Sequence, residues 1–317
     1  MSAAPATAKF MSLRDWSLLA ALSVLWGLTF FFAKIALVEI PPVTLVMSRV
    51  WIAAVALLAI LKIAGLAVPV SRAAWVAFFG MGLLNNVVPF SLIFLGQSMM
   101  PRQIAASMAS ILNATTPLFA MVVCHFMTRD EKLTPARLAG VLLGLAGVAV
   151  MLAPRLLGAD TAPGGERMVQ GVLSCLAAAV VYAFSALYAR RFKSMGIAPL
   201  QIAFGQLAAS SAMTLPLAAL IDQPWTLAMP GPGPLAAVAG LGLLSTAVAY
   251  VIFFNILATA GATNLMLVTF LVPVSAILLG VTFLGESLGP VHVAGMALIG
   301  LGLAVIDGRP ARTLFNR

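Results

Sequence analysis

Ten apolar runs, each on the order of twenty residues and separated by short gaps, restrict this chain more than any other feature of it. They cover residues 14–37, 43–65, 73–96, 103–127, 135–153, 168–190, 198–221, 235–258, 263–284 and 289–307. A helix rising about 1.5 Å per residue needs roughly 20 residues to cross about 30 Å of hydrocarbon. In lipid the backbone must satisfy its own polar groups, which leaves helices or closed barrels. Runs of this length predict an all-α integral membrane protein with ten transmembrane helices. Composition closes off the soluble alternative. The chain is 62% hydrophobic and 9% charged, against about 45–50% and 25% for a soluble domain.

The longer connections, "PRLLGADTAPGGER" and "DQPWTLAMPGPGP", are rich in proline and glycine, as surface loops are. The opening basic flank and apolar run have the outline of a secretory leader. The run continues to about Leu37, however, beyond the usual leader core of about 7–15 residues, so a retained first helix is expected. Cys124 and Cys175 fall inside spans with no partner spacing and read as buried or lipid-facing thiols.

Lysine and arginine accumulate in cytoplasmic loops. With the N-terminus inside, thirteen cations fall on the cytoplasmic side: Lys9, Arg14, Lys62, Arg72, Arg129, Lys132, Arg137, Arg190, Arg191, Lys193, Arg309, Arg312 and Arg317. Three fall outside: Arg102, Arg155 and Arg167. Both termini are therefore expected in the cytoplasm. The net charge of +9 reads as a topology signal. Its scatter over short loops speaks against nucleic acid as a partner.

The second constraint is an internal echo. "PLFAMVVCHFMTRDEKLTPARLAG" and "PVSAILLGVTFLGESLGPVHVAG" share a proline, an apolar run, a glutamate, a second proline and spaced glycines. Pro117 matches Pro273, Glu131 matches Glu286, Pro135 matches Pro290, Gly140 matches Gly295 and Gly147 matches Gly302, an offset of 155–156 residues. "IPPVTLVMSRV" echoes "IAPLQIAFGQL", and "GLLN" at 82–85 echoes "GLLS" at 242–245. Trp26 and Lys34 fall at the places of Tyr182 and Arg190. Five helices per copy is an odd number, so the second copy enters the membrane upside down. Inverted repeats of this kind are a recurring plan of secondary transporters, with substrate bound between the halves near the midplane.

Two five-helix copies, closing on "DEKLTPARLAG" and "GESLGPVHVAG" with a glycine-spaced last helix, resemble the EamA family of the drug/metabolite transporter superfamily. The resemblance covers nearly the whole chain. It divides the chain into a first repeat, 1–155, a linker, 156–167, and a second, inverted repeat, 168–317. It implies export of small metabolites, often amino acids, across a bacterial inner membrane. Within the family the chain is most similar to YddG-type exporters of aromatic and other neutral amino acids. The first copy departs from the second by one extra residue before its glutamate, "TRDE" against "LGE".

Candidate site residues come from what is unusual inside the spans. A mid-helix proline donates no N–H and frees the carbonyl four residues earlier. Pro89 is expected to free Asn85, Pro117 to free Asn113, and Pro273 to free Thr269. "NNVVP" and "NATTP", which contain Asn85, Asn86 and Asn113, then read either as polar walls of a cavity or as bonds between helices. Gln97 and Asn255 allow the same two readings. Trp26 lies about 15 Å of helical rise beyond Trp16, which brings it to mid-membrane with its counterpart Tyr182. Trp and Tyr ordinarily prefer the interfaces. With Phe30, Phe78, Phe94, Phe204 and Tyr250 they are expected to shape a pocket for an amphipathic substrate, and Gln206 lies beside them in the echoed stretch.

Lys34 and Arg49 are charges inside consecutive spans, an expensive placement that marks function by default. They are read as an outer charge pair or gate, drawing a substrate carboxylate or pairing with Glu39. Snorkelling to the interface is the alternative. Glu131 and Glu286 suit the positive starts of the helices at Pro135 and Pro290. "GVLLG" at 140–144 fits close helix packing, either within a repeat or in a dimer. His125 and His292 suggest no metal site.

No phosphate-cradling glycine–lysine loop and no soluble domain for an ATPase are present. The nine acids fall at loops or helix ends, where a proton-coupled carrier would hold one inside the membrane. Facilitated flux or exchange is the expectation, with proton coupling as the alternative. An intramembrane enzyme would need a nucleophile–base pair or metal ligands in reach of each other. A channel favours rings of like side chains. The expected function is a carrier of small amphipathic metabolites, with no cofactor or metal, at home in the bilayer and sufficient as a monomer.

Overall fold

In the computed structural model, residues 11–128, 133–156 and 165–307 are described, and every regular element among them is helical. Eight of the described helices are long and apolar enough to cross a membrane. They are α1 (Leu13–Ala36), α2 (Pro42–Ile63), α3 (Arg72–Met99), α4 (Ala105–Met127), α5 (Pro135–Leu156), α6 (Gly165–Met195), α7 (Pro199–Ile221) and α8 (Pro232–Thr259). Two shorter apolar helices follow, α9 (Val268–Leu284) and α10 (Pro290–Asp307). The chain is thus a multi-pass membrane protein by helix length and composition. Large apolar side chains such as Val55, Leu142, Leu173, Leu278 and Leu301 are exposed on its outside, as a lipid-facing belt requires. Of the cations and acids weighed above, Lys9, Arg129, Asp130, Glu131, Lys132, Asp160, Arg309, Arg312 and Arg317 lie outside the described residues.

Local chemistry sets the helix ends. At the start of α1, Ser12 and Asp15 form a reciprocal capping box, each accepting the other's backbone N–H. Proline opens α2, α5, α7, α8 and α10, where its missing N–H costs no helix bond.

Four of the long helices are interrupted, α6 only at Arg190 near its end. Helix α3 contains a π-turn at Leu83–Val87, and α8 contains one at Leu243–Val248. Helix α4 breaks after Asn113 and restarts at Thr116. Pro89 and Pro117 accordingly sit in the first turn of new segments, Val88–Met99 and Thr116–Met127, rather than in uninterrupted helix. The carbonyl freed by Pro117 accepts the Thr116 hydroxyl at 2.7 Å. Pro273 does lie inside its helix. Helix α9 starts at Val268, later than the apolar run predicts. A short segment, Gly261–Leu265, precedes it, entered through Gly261 in the left-handed region (φ 81°).

Helices α2 and α7 pack side by side and run antiparallel. At one end Asp222, just past α7, accepts from the Thr44 amide (2.6 Å) and hydroxyl (2.9 Å) at the start of α2. At the other end Gln201, near the start of α7, donates to the Ala67 carbonyl past α2 (2.7 Å). Helices α5 and α10 also cross antiparallel, with Gly140 against Gly302 and Gly147 against Gly295. A β-carbon on any of these four would lie 2.5–2.6 Å from the facing carbonyl, so only glycine permits the approach. The glycine row of "GVLLG" therefore faces α10 through Gly140 and Leu118 of α4 through Gly144. Helix α1 packs on α8 and α9, and α6 packs on α3 and α4. The partnerships of α1 with α8 and α9 thus have counterparts five helices along, in those of α6 with α3 and α4.

Candidate functional site

The two π-turns lie at the echoed "GLLN" and "GLLS" stretches and face the middle of the molecule. A π-turn holds one residue more than the α-helix allows and is frequent at functional positions. Each receives a polar side chain from a neighbouring helix. Gln206 of α7 meets the turn of α3, where the Asn85 amide donates to Gln206 Oε1 at 3.2 Å. Arg49 of α2 meets the turn of α8, where its Nε donates to Thr246 Oγ1 at 2.9 Å. Arg49 and Gln206 occupy the same place in "IPPVTLVMSRV" and "IAPLQIAFGQL". The helices approach closely enough to allow this because Gly82 and Gly242 open each turn. A β-carbon there would meet the Gln206 carbonyl at 2.7 Å or Ile52 at 2.5 Å.

Around the α3 turn the amides saturate one another. Asn85 also donates to the Tyr250 hydroxyl (3.0 Å) and accepts from Ser185 of α6 (3.2 Å). Buried Asn86 donates to Ser210 Oγ (3.0 Å) and accepts from Tyr250 (3.5 Å). Ser210 in turn donates to the Gln206 carbonyl at 2.7 Å. Five hydrogen-bonded side chains from α3, α7 and α8, with Ser185 of α6, tie the halves together at mid-span.

Arg49 is differently placed. It is 4% exposed, its guanidinium lies 3.9 Å over the Phe90 ring, and Phe94 is 5.8 Å away. The Tyr182 and Tyr250 phenols lie within its electrostatic reach. Its Nη1 is buried without a hydrogen-bond partner. No described carboxylate lies within ion-pair distance of it.

Lys34, grouped with Arg49 by sequence, goes elsewhere. Its ammonium pairs with Glu286 at 2.9 Å, with side-chain exposures of 13% and 0%. Gly285 closes α9 in the left-handed region (φ 62°) and turns Glu286 back beneath it. There the carboxylate accepts the amides of Ala106 (2.8 Å) and Ser107 (2.9 Å) and the Ser107 hydroxyl. Glu286 was expected to serve the start of its own helix, α10. It caps the first segment of α4 instead, whose unsatisfied N–H groups attract a carboxylate. Glu39, one of the partners weighed for Lys34 and Arg49, accepts from the Gly231 amide at 2.7 Å.

The remaining candidates divide. Trp26 lies against Phe253 (5.7 Å), near the stacked Tyr250 and Phe254. Phe204 and Pro89 are buried in the core. Asn113 keeps an unpartnered buried Oδ1 at the α4 break beside Pro117, and Pro273 faces the core of α9. Phe78 stands apart from the network: it stacks on Phe192 at 5.8 Å in a separate cluster with Trp75. Thr246, Ser185, Ser210 and Phe90 contact Arg49, Asn85 or Asn86 and were not among the candidates. The "GLLS" echo, one residue short of Thr246, is the signal that marks the first of them.

The EamA-like transporter family model matches residues 15–153 and, a second time, residues 169–307. The chain is 26% identical over 296 residues to the "Uncharacterized transporter YvbV" of Bacillus subtilis, covering 92% of this chain and 90% of that protein. It is 26% identical over 300 residues to the "Uncharacterized inner membrane transporter YedA" of Escherichia coli K12, covering 92% of each. A third relative is the "Probable amino-acid metabolite efflux pump" of the same strain, 29% identical over 190 residues, covering 60% of this chain and 58% of that one. A solved crystal structure superposes with a TM-score of 0.65 at 25% identity, over 96% of this chain and 99% of its own.

Proposed function

Because this chain belongs to the EamA-like transporter family, and so is a multi-pass membrane transporter, we propose that it exports neutral and aromatic amino acids by alternating access. The reading carries the YddG-type assignment forward. The observation behind it is the polar cluster at mid-span, built from helices of both matched copies around two π-turns. Aromatic residues flank it, with Trp26, Phe253 and Tyr250 on one side. The relative named as an amino-acid metabolite efflux pump supports the substrate class. Repeats 1–155 and 168–317 are then inverted five-helix halves joined by 156–167. The antiparallel courses of α2 with α7 and of α5 with α10 support that inversion. Rocking one half against the other would open the cluster to each side in turn.

Flux runs without a coupling ion, as facilitation or exchange, in a monomer of the bacterial inner membrane with both termini in the cytoplasm. The described acids Asp15, Glu39, Glu166, Asp222, Glu286 and Asp307 all lie at helix ends or loops, and the relative named as an inner-membrane transporter supports the location. Uptake of labelled methionine, tryptophan and threonine into proteoliposomes, with and without a pH gradient, tests the reading. Counterflow indifferent to the gradient is expected. Flux that needs the gradient would move the assignment to a proton-coupled exporter, and no flux of any amino acid would end the substrate proposal.

A further inference from the structure

We infer that Arg49 is the anchor for a carboxylate on the cargo, and that the site takes simple monocarboxylates at least as well as zwitterionic amino acids. This rests on the transport reading above only for the location of the pathway.

A guanidinium carries five N–H donors in a rigid fork and stays charged at any physiological pH. Removing it from water is expensive unless a counter-charge and hydrogen bonds compensate. Arg49 has one hydrogen bond, to Thr246, and an aromatic face, Phe90. Neither is a counter-charge, and Nη1 is left buried without an acceptor. Of the other buried polar groups nearby, Asn85, Asn86, Gln206, Ser210 and Tyr250 bond one another, and the unpartnered atoms, Ser245 Oγ, Gln97 Oε1 and Asn113 Oδ1, are neutral. The unmet demand that carries charge is that of Arg49, and it calls for an anion; the fork suits a planar carboxylate held by two parallel bonds.

The second half sharpens the point. At the equivalent position it carries Gln206, a neutral amide already bonded to Asn85. One half supplies a charge without a partner and the other a closed network, so the anion site is single. Charge also sets the class of cargo. A zwitterion would bring its ammonium within a few ångströms of the guanidinium, where like charges repel through a low-dielectric medium. No described carboxylate lies within ion-pair distance of Arg49 to offset that repulsion. A monoanion of the same shape avoids it.

The experiment measures ligand-induced thermal stabilisation of the purified full chain in nanodiscs. Three compounds share one side chain: methionine, its 2-hydroxy acid analogue and methioninamide. The hydroxy acid should stabilise at concentrations equal to or below methionine, and the amide should have no effect. Arg49→Gln, which installs the side chain of the second half, should weaken acid binding at least tenfold, and Arg49→Lys should retain part of it. Amide binding equal to acid binding in the wild type would overturn the inference, whether or not the variants fold. So would unchanged acid affinity in a folded Arg49→Gln protein, or binding of none of the three compounds at millimolar concentration. Methionine that binds and is transported while the hydroxy acid does not would sink this inference and leave the amino-acid reading standing. Arg49-dependent binding of the hydroxy acid without any amino-acid flux would do the reverse.

Discussion

Lys34 and Arg49 are both cations inside membrane helices, and their surroundings differ completely. Lys34 faces a carboxylate that holds three further hydrogen bonds, so both charge and geometry are closed. Arg49 has an aromatic ring and a hydroxyl, and one of its nitrogens has nothing. A buried charge with a full set of partners serves the fold. A buried charge without a counter-ion weakens the fold. Burial alone does not separate the two cases; the partner inventory does.

The largest test of this difference is Glu286→Ala. It strands the Lys34 ammonium and uncaps the start of α4, and should cost roughly 3–5 kcal/mol, read as thermal or denaturant unfolding in detergent. Replacing both Lys34 and Glu286 by apolar residues should restore much of that loss. A double replacement as damaging as the single one would mean that the pair is not the closed unit described. Next come the polar partners of the π-turns. Thr246→Val deprives Arg49 of its hydrogen bond, and Asn86→Ala deprives Tyr250 and Ser210 of theirs. Each should cost about 1–3 kcal/mol by leaving buried groups unsatisfied, on the same unfolding scale. Asp222→Ala removes the cap at Thr44 where α2 meets α7 and should cost about 1 kcal/mol.

The smallest effect, and the most telling, is expected at Arg49 itself. Without ligand, Arg49→Gln should leave unfolding stability within roughly 0.5 kcal/mol of wild type or raise it, because it removes an uncompensated charge. A loss as large as that of Glu286→Ala would place Arg49 in the same structural class as Lys34 and erase the distinction.

Much of the fold is legible from apolar length and the half-chain echo. The runs locate α1 to α8 closely, because crossing lipid demands an apolar stretch long enough to span it. The two "GLL" stretches coincide with the two π-turns, and the Asn–Pro pairs mark where α3 and α4 break. Single-sequence reasoning fails where the deciding contact is remote. Glu286 looks like a helix-start acid by its neighbours, yet Lys34 and the amides of α4 are 252, 180 and 179 residues away. Phe78 was grouped with the central aromatics by type, but its depth along α3 puts it on Phe192. Thr246 carries no signal in its own side chain, since a membrane-helix threonine more often bonds its own backbone. Its hydroxyl does that too, donating to the Leu241 carbonyl at 2.7 Å, while accepting from Arg49. The second matched glutamate, Glu131, lies outside the described residues, so the comparison of the two acids stops at Glu286.

The π-turn of α8 has a consequence for how this site is inherited and altered. It is a matter of chain length before it is a matter of side chains. Removing one residue from Leu243–Val248 would let the helix close into regular α geometry with the segment beyond it still in place, because the turn absorbs that one surplus residue. Tyr250 would stay on Asn85 and Phe253 on Trp26, while Thr246 would lose the position from which it receives Arg49. Replacing residues one at a time preserves the surplus residue, so a substitution scan passes over the element that aims Thr246. A one-residue deletion therefore separates the turn from the aromatic wall around it, and an insertion of that size in an ordinary helix is the event from which such a turn can begin.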